Sequence, residues 1–307
     1  MTIETFQQLL PHGITLSCRA AGQAGRPVLM FLHGFPEAAF VWDELLEHFA
    51  LPKNGGYRCI APNLRGYELS STPHDVKAYR AKHLVQDIAA LIEIAGAPLE
   101  CLIAHDWGGA VAWNLANQMP QSMKKLAIIN SPHPGTFLRE LKSNPKQQAA
   151  SAYMNFLIRP DAEKLLAEKD YARMWPFFTH GPSGAAWLTD AVKNQYRQIW
   201  NGPPGSPPGA GLVGGCNYYR ASPLRPPTGQ APAAAAIELP PEALMVKVPT
   251  FVLWAMEDIA LPPELIAGLE QYIPQLTLEK VEGASHWIVH ERPDLVAARL
   301  ASFLHSH

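Results

Sequence analysis

The sequence predicts an α/β fold: a mostly parallel central sheet flanked by helices, with an inserted helical cap. Three observations point there. Short apolar runs alternate with amphipathic stretches through the first 134 residues, the pattern turns helical and aromatic over residues 135–221, and the alternation resumes at Thr250. Strand and helix in alternation make a parallel sheet covered on both faces. With 307 residues, 48% of them hydrophobic, the chain can bury a large core.

The first strands are expected at residues 28–32 and 58–61. Between them Val41, Leu45 and Phe49 recur at helical spacing, and Leu84, Ile88, Leu91 and Ile92 mark a second helix that Gly96 stops. A strand at 99–104 runs into Asp106, and a helix at 108–119 follows directly. A further strand at 125–130 ends in Asn130-Ser-Pro-His-Pro134, where two prolines interrupt regular structure. The insertion then brings Tyr153, Phe156, Tyr171, Trp175, Trp187, Tyr196 and Trp200, with no strand pattern. Two Pro/Gly-rich stretches, 202–215 and 223–241, read as long surface loops. Beyond them come a strand at 250–255, a helix opening at Pro262 and Pro263, a strand at 276–281 and a last helix from Pro293. That helix sets Val296, Leu300, Phe303 and Leu304 on one face. The division is therefore 1–134 core, 135–222 helical cap and 223–307 core.

A net charge of −2 with 17% charged residues shows neither a basic stripe nor an acidic tail, which argues against nucleic acid as partner. No apolar run approaches the ~18 residues of a membrane span, and the first ten residues lack a signal-like pattern, so a cytoplasmic location is expected. Cys18, Cys59 and Cys101 fall in strand-like runs and Cys216 in a Gly-rich loop. Their spacing fits neither a metal site nor a disulfide framework, so all four are expected as thiols.

The chemistry concentrates in Cys101-Leu-Ile-Ala-His-Asp106-Trp-Gly-Gly109. A tight strand-to-helix turn holds its central side chain above the sheet, and Ala104, Gly108 and Gly109 allow the close backbone approach. That side chain is here a carboxylate. Ionised near neutral pH, it needs no activating base and can attack saturated carbon to give an alkyl ester. Hydrolysis of the ester calls for a histidine and an acid to orient it. Asp258 and His286 each follow a strand, and loops at the carboxyl ends of parallel strands share one crevice. Asp106, Asp258 and His286 are thus expected to meet. His33-Gly-Phe-Pro-Glu37 follows another strand, so the Phe35 and Trp107 N–H groups are expected to form an oxyanion hole. His286, His290 and Glu291 invite a metal reading, but no third ligand has suitable spacing and metal-free chemistry is expected.

Together these segments resemble the epoxide hydrolase and dehalogenase branch of the α/β-hydrolase superfamily, most closely the soluble epoxide hydrolases. The resemblance covers nearly the whole chain and rests on His33-Gly-Phe-Pro-Glu37, His105-Asp-Trp-Gly-Gly109, Asn130-Ser-Pro-His-Pro134 and Asn217-Tyr-Tyr-Arg220 in order. It implies an epoxide opened by Asp106, with Tyr219 donating a proton to the leaving alkoxide, and a vicinal diol released by water without a cofactor. Tyr218, adjacent, is expected to pack. His33, Pro36, Tyr153, Phe156 and Trp287 are expected around a small to medium apolar substrate. A second tyrosine usual in these enzymes is replaced by Phe156, which leaves its hydrogen bond absent or supplied by Tyr153 or Asn155. Ala104 and Glu68 stand where related chains often carry glycine. Dehalogenation by the same aspartate is the alternative, and a non-catalytic binding protein the less favoured one. Asn130 stands where fluoroacetate-type dehalogenases keep their acid, and Trp107 and Ala110 where they keep arginines.

Overall fold

The strands that were expected to be buried on both sides form the middle of one sheet. In the structure, a computed structural model describing residues 2–179, 184–227 and 236–306, these are β3 (Val28–Leu32), β5 (Cys101–His105), β6 (Leu126–Ile129) and β7 (Thr250–Ala255). Each is buried along its whole length, which suits continuous apolar runs in a parallel sheet. With β1 (Glu4–Leu9), β2 (Thr15–Ala21), β4 (Arg58–Pro62) and β8 (Leu276–Val281), the order is β1-β2-β4-β3-β5-β6-β7-β8. Pairing is parallel from β4 to β8 and antiparallel for β1–β2 and β2–β4. The antiparallel hairpin was not foreseen. β1 alternates polar and half-buried residues at an edge, which leaves no long apolar run to read.

Side-chain alternation splits the core in two. Leu29, Phe31, Ile103, Ile129 and Leu253 face one way, toward a helix α1 (Asp43–Ala50) and the C-terminal helix. Met30, Leu32, Leu102, Ala104, Ile128 and Trp254 face the other, toward α2 (Ala81–Ala95) and α3 (Asp106–Gln118). Gly96 ends α2 in the left-handed conformation, its N–H closing on the Ile92 carbonyl.

Between β6 and β7 the described residues form α4 (Pro134–Ser143), α5 (Pro145–Ala150), α6 (Tyr153–Leu157), α7 (Ala162–Tyr171), α8 (Trp175–Thr179), α9 (Asp190–Asn201) and α10 (Val213–Ala221). After β8 come α11 (Ile288–Glu291) and α12 (Pro293–His305). The insertion is fixed by directed bonds as well as packing. Trp200 Nε1 donates to the Pro36 carbonyl at 2.8 Å, Trp287 Nε1 to that of Phe177 at 2.8 Å, and the Tyr218 hydroxyl to that of Arg65 at 3.0 Å.

Three local expectations are corrected. The helix expected from Pro262 is instead a pair of 3-10 turns, Pro263–Ile266 and Leu269–Gln271, split by Gly268 at φ +83° and clamped by Arg139 through the Glu264 and Ala267 carbonyls. The 202–215 stretch is not loop throughout: it holds the 3-10 turn Ala210–Leu212 and the start of α10, and Cys216 lies in that helix. Its Gly214 is there for contact, since a Cβ would strike the backbone of Gly66. Of the 223–241 stretch, residues 228–235 lie outside the described residues. All four cysteines are free and buried, and among the described residues no helix is long and apolar enough to cross a membrane.

Candidate active site

β5 delivers its last residue straight into α3, and Asp106 takes φ +49° at the junction, a conformation uncommon for a residue with a Cβ. The surroundings hold it there. Ser131 Oγ donates to the Asp106 carbonyl at 2.6 Å, a Cβ on Gly108 would come within 2.5 Å of the Leu32 carbonyl, and one on Gly34 would collide with the Asp106 carboxylate. The Phe35 N–H donates to Asp106 Oδ1 at 2.7 Å. Oδ2 remains, 3.7 Å from His286 Nε2. Trp107 follows in the first turn of α3, where N–H groups lack intrahelical partners.

His286 is oriented from behind. Its Nδ1 donates to Asp258 Oδ2 at 2.6 Å, which leaves Nε2 turned to Asp106. Asp258 Oδ1 accepts from the Ala260 and Leu261 N–H groups, both at 2.9 Å, and Asn130 Nδ2 donates to Oδ2 at 2.8 Å. Burial opposes charge on Asp258, but His286 and these donors outweigh it and hold the carboxyl below its ordinary range. Burial likewise works against the His286 cation, while Asp258, then Asp106 and Glu37, raise its pKa to about 9. Asn130 also accepts from the Ala255 N–H at 2.8 Å, stitching β6 to β7 below the acid. It sits at φ +38°, which asparagine tolerates well.

Two cavities, of about 380 and 240 Å³, meet at Asp106 and Tyr153. Phe35, Pro36, Tyr219, His286 and Trp287 line the first, while Trp107, Val111, Phe137, Leu224 and Leu239 line the second. The Tyr153 and Tyr219 rings stand 6.0 Å apart and their phenols interact. Burial and the Asp106 charge push both pKa values up, with Tyr153 adding to the rise at Tyr219 while Tyr219 opposes it at Tyr153, so each phenol keeps its proton. The rings of Phe35 and Trp107 hold Tyr219 edge-on at 5.3 and 5.1 Å.

The sequence-derived residues Asp106, Asp258, His286, Tyr219, Phe35, Trp107, Pro36, Tyr153 and Trp287 therefore gather at one place. Two others do not. Phe156 lines neither cavity: it stands one turn beyond Tyr153 on α6 and packs, half-buried, on the apolar core, so Tyr153 is the second tyrosine at the site. His33 is also absent from the lining. It is fully buried and bridges the turn, donating from Nδ1 to the Gly34 carbonyl at 2.9 Å and accepting the Leu64 N–H at 3.0 Å. Burial lowers its pKa to about 4, which keeps that accepting nitrogen free. His290 and Glu291 turn to separate partners, Glu37 and Ser285, and not to a shared centre with His286. Tyr218 packs against Tyr67, Tyr79 and Trp107, and it also lines the second cavity. Asn130 was missed as the support of Asp258, although the bend it opens was visible.

Known proteins resemble the chain along nearly its whole length. A family model described as alpha/beta hydrolase fold matches residues 27–293. The AB hydrolase superfamily protein YfhM of Bacillus subtilis (strain 168) is 35% identical over 294 residues, 95% of each chain. Epoxide hydrolase 4 of Mus musculus is 30% identical over 97% of this chain and 79% of that protein. A solved structure from work on novel epoxide hydrolases in metagenomes from hot environments matches with a TM-score of 0.82 and 35% identity over the full length of both chains. The chain belongs to the α/β-hydrolase superfamily. Within it, the chain is epoxide hydrolase-like, an enzyme of the hydrolase type.

Proposed function

We propose that the protein opens epoxides to vicinal diols through an ester on Asp106. The observation that carries this is the carboxylate itself: Oδ1 is held by the Phe35 N–H, Oδ2 is free toward the cavities, and two protonated phenols share that space. Oδ2 attacks an epoxide carbon, the C–O bond breaks, and Tyr219, supported by Tyr153, gives its proton to the oxygen that leaves. Without a donor the alkoxide would be a poor leaving group. His286 then takes a proton from water, which adds to the ester carbonyl. The oxyanion forms on Oδ1, where the Phe35 N–H already points and the Trp107 N–H assists. Collapse breaks the Cγ–Oδ2 bond, His286 gives its proton to the departing diol oxygen, and the second proton of the water, from the new carboxyl group, returns to the tyrosine pair.

Esterification also retunes the base. It removes the Asp106 charge, one of those holding the His286 pKa up, so the imidazole becomes a readier acceptor when it is needed. The helices of residues 135–222 act in this reading as a cap that supplies both phenols and encloses a small to medium apolar epoxide. The names of the relatives, several of them epoxide hydrolases, support the same substrate class. A single turnover in heavy-oxygen water, followed by mass analysis of the Asp106 peptide, tests the route. Label in the carboxylate is expected; label confined to the diol refutes the ester.

A further inference from the structure

The turn that follows β4, residues 63–67, lines neither cavity, yet it touches a group from each half of the site. On the core side, the Leu64 N–H donates to His33 Nε2 at 3.0 Å, and His33 Nδ1 donates to the Gly34 carbonyl at 2.9 Å. On the side of the insertion, the Arg65 carbonyl accepts the Tyr218 hydroxyl of α10 at 3.0 Å. Gly66 lies so close to Gly214 that a Cβ on either would strike the backbone of the other. The Tyr67 ring stands between, 4.7 Å from the His33 ring and 5.4 Å from that of Tyr218.

A buried ion pair fixes this turn. Arg65 donates from Nε to Asp87 Oδ2 at 2.7 Å and from Nη2 to Asp87 Oδ1 at 2.6 Å, while Nη1 reaches the Ala78 carbonyl at 2.8 Å. Asp87 projects from α2, and its Oδ1 also lies 2.7 Å from His12 Nε2. The planar fork meets the carboxylate at two points, which sets the orientation of the guanidinium as well as its distance.

We propose that Arg65 is a positioning residue for both steps of the reaction described above: clamped to Asp87, it holds one turn that aims the Phe35 N–H and seats Tyr219. The first effect travels through a single peptide. The Gly34 carbonyl and the Phe35 N–H belong to one planar unit and move together, so His33, by holding the carbonyl, aims the N–H at Asp106 Oδ1. The second effect travels along α10, where Tyr219 follows Tyr218 and stands edge-on to the Phe35 ring at 5.3 Å. Proton donor and oxyanion donor are thereby placed relative to one another from the same guanidinium.

The rate arm of the test rests on the ester reading above; the resonance arm does not. Tyr218→Phe removes only the hydroxyl that bonds the Arg65 carbonyl. Ester formation from an epoxide should slow about tenfold in single-turnover kinetics, with ester decay within about twofold of the parent. Arg65→Lys replaces the fork with a point charge and should slow both steps by at least about tenfold. Asp87→Asn keeps one acceptor for the guanidinium and should give the same pattern at smaller size. Without substrate, NMR should show the Tyr219 ring signals shifted in all three variants, and the Phe35 amide proton shifted in the Arg65 and Asp87 variants alone. A merely structural role would lower the unfolding midpoint and leave both rates and both resonances unmoved. Unchanged ester formation in Tyr218→Phe, or unchanged ester decay in Arg65→Lys, overturns the proposal. If Arg65→Lys does not fold, Asp87→Asn decides in its place. If no ester forms on any epoxide, the Phe35 and Tyr219 resonances decide, and only the reading of the reaction fails.

Discussion

At Asp106, the two carboxylate oxygens have different neighbours. In the proposed reaction Oδ1, on the Phe35 N–H, is the atom on which charge collects during hydrolysis, and Oδ2 is the atom left to attack. His286→Gln should therefore leave attack intact and cripple release. Turnover is expected to fall by about 10³, with intact mass showing one substrate retained per chain; rapid diol release without an adduct would contradict this. The pH dependence has a sign as well. In the free enzyme, Asp258 and Asp106 raise His286 to about 9, and the ester removes the Asp106 share. The limb for decay of a preformed ester should thus lie below the pH at which His286 titrates in the free protein by NMR, and equal values would argue that Asp106 has no hold on the base. For the phenols, Tyr153→Phe and Tyr219→Phe should each slow epoxide opening by about 10²-fold, and the pair by about 10⁴. Displacement of bromide from an alkyl bromide, which needs no proton, should survive in all three.

At the level of elements, the elbow depends on what glycine leaves out. A methyl on Gly34 meets the Asp106 carboxylate, whereas one on Gly108 meets the backbone of β3 and the residue after it. Gly34→Ala should therefore fold, with a loss of about 1–3 kcal/mol in denaturant unfolding, while activity falls by at least about 10²-fold because the nucleophile is displaced. Gly108→Ala should cost more stability, since a carbonyl cannot swing aside; similar losses of stability in the two variants would refute the distinction. The same junction shows what could be read from the sequence. A buried strand, an acid and a run of small residues in immediate succession are local features, so Asp106 could be placed without tertiary information. Asp258 and His286 were legible for a related reason: each follows an apolar strand, and parallel strands bring such loops together. The Glu37–His290 contact was not, because nothing local distinguishes a glutamate in a turn from one facing a histidine 253 positions later. Phe156 was misplaced because a short helix leaves its facing undetermined until packing sets it. Glu68 marks a half-visible case. Its φ of +46° explains why glycine would suit that position, and Asn63 holds its carboxylate instead.

Across the molecule, the apolar cluster on the α2–α3 face of the sheet runs without a break into the insertion, through Leu157, Leu166, Met174, Phe178, Trp200 and Leu212. Among the described residues the apolar contacts continue from the core into the inserted helices, and Trp200, Trp287 and Tyr218 each bond across the boundary. The insertion should therefore not melt alone. Calorimetric and van't Hoff enthalpies are expected to agree, with tryptophan fluorescence and far-ultraviolet circular dichroism tracing one transition; an early fluorescence change would reveal an independent cap. The buried charges then set how that single transition moves with pH. His286 is raised in the folded state from 6.5 to about 9, so its stabilising contribution is complete below 6.5 and is lost as pH rises through about 9. Asp258 and Glu37 are lowered, so theirs is complete above the ordinary carboxylate pKa and is lost as acid protonates them. The melting temperature should accordingly peak between about pH 5 and 6.5 and decline toward 9. His286→Gln should flatten the alkaline side of that peak and, because His286 is what chiefly lowers Asp258, weaken the acid side as well; an unchanged alkaline slope would mean that the stabilising proton resides elsewhere.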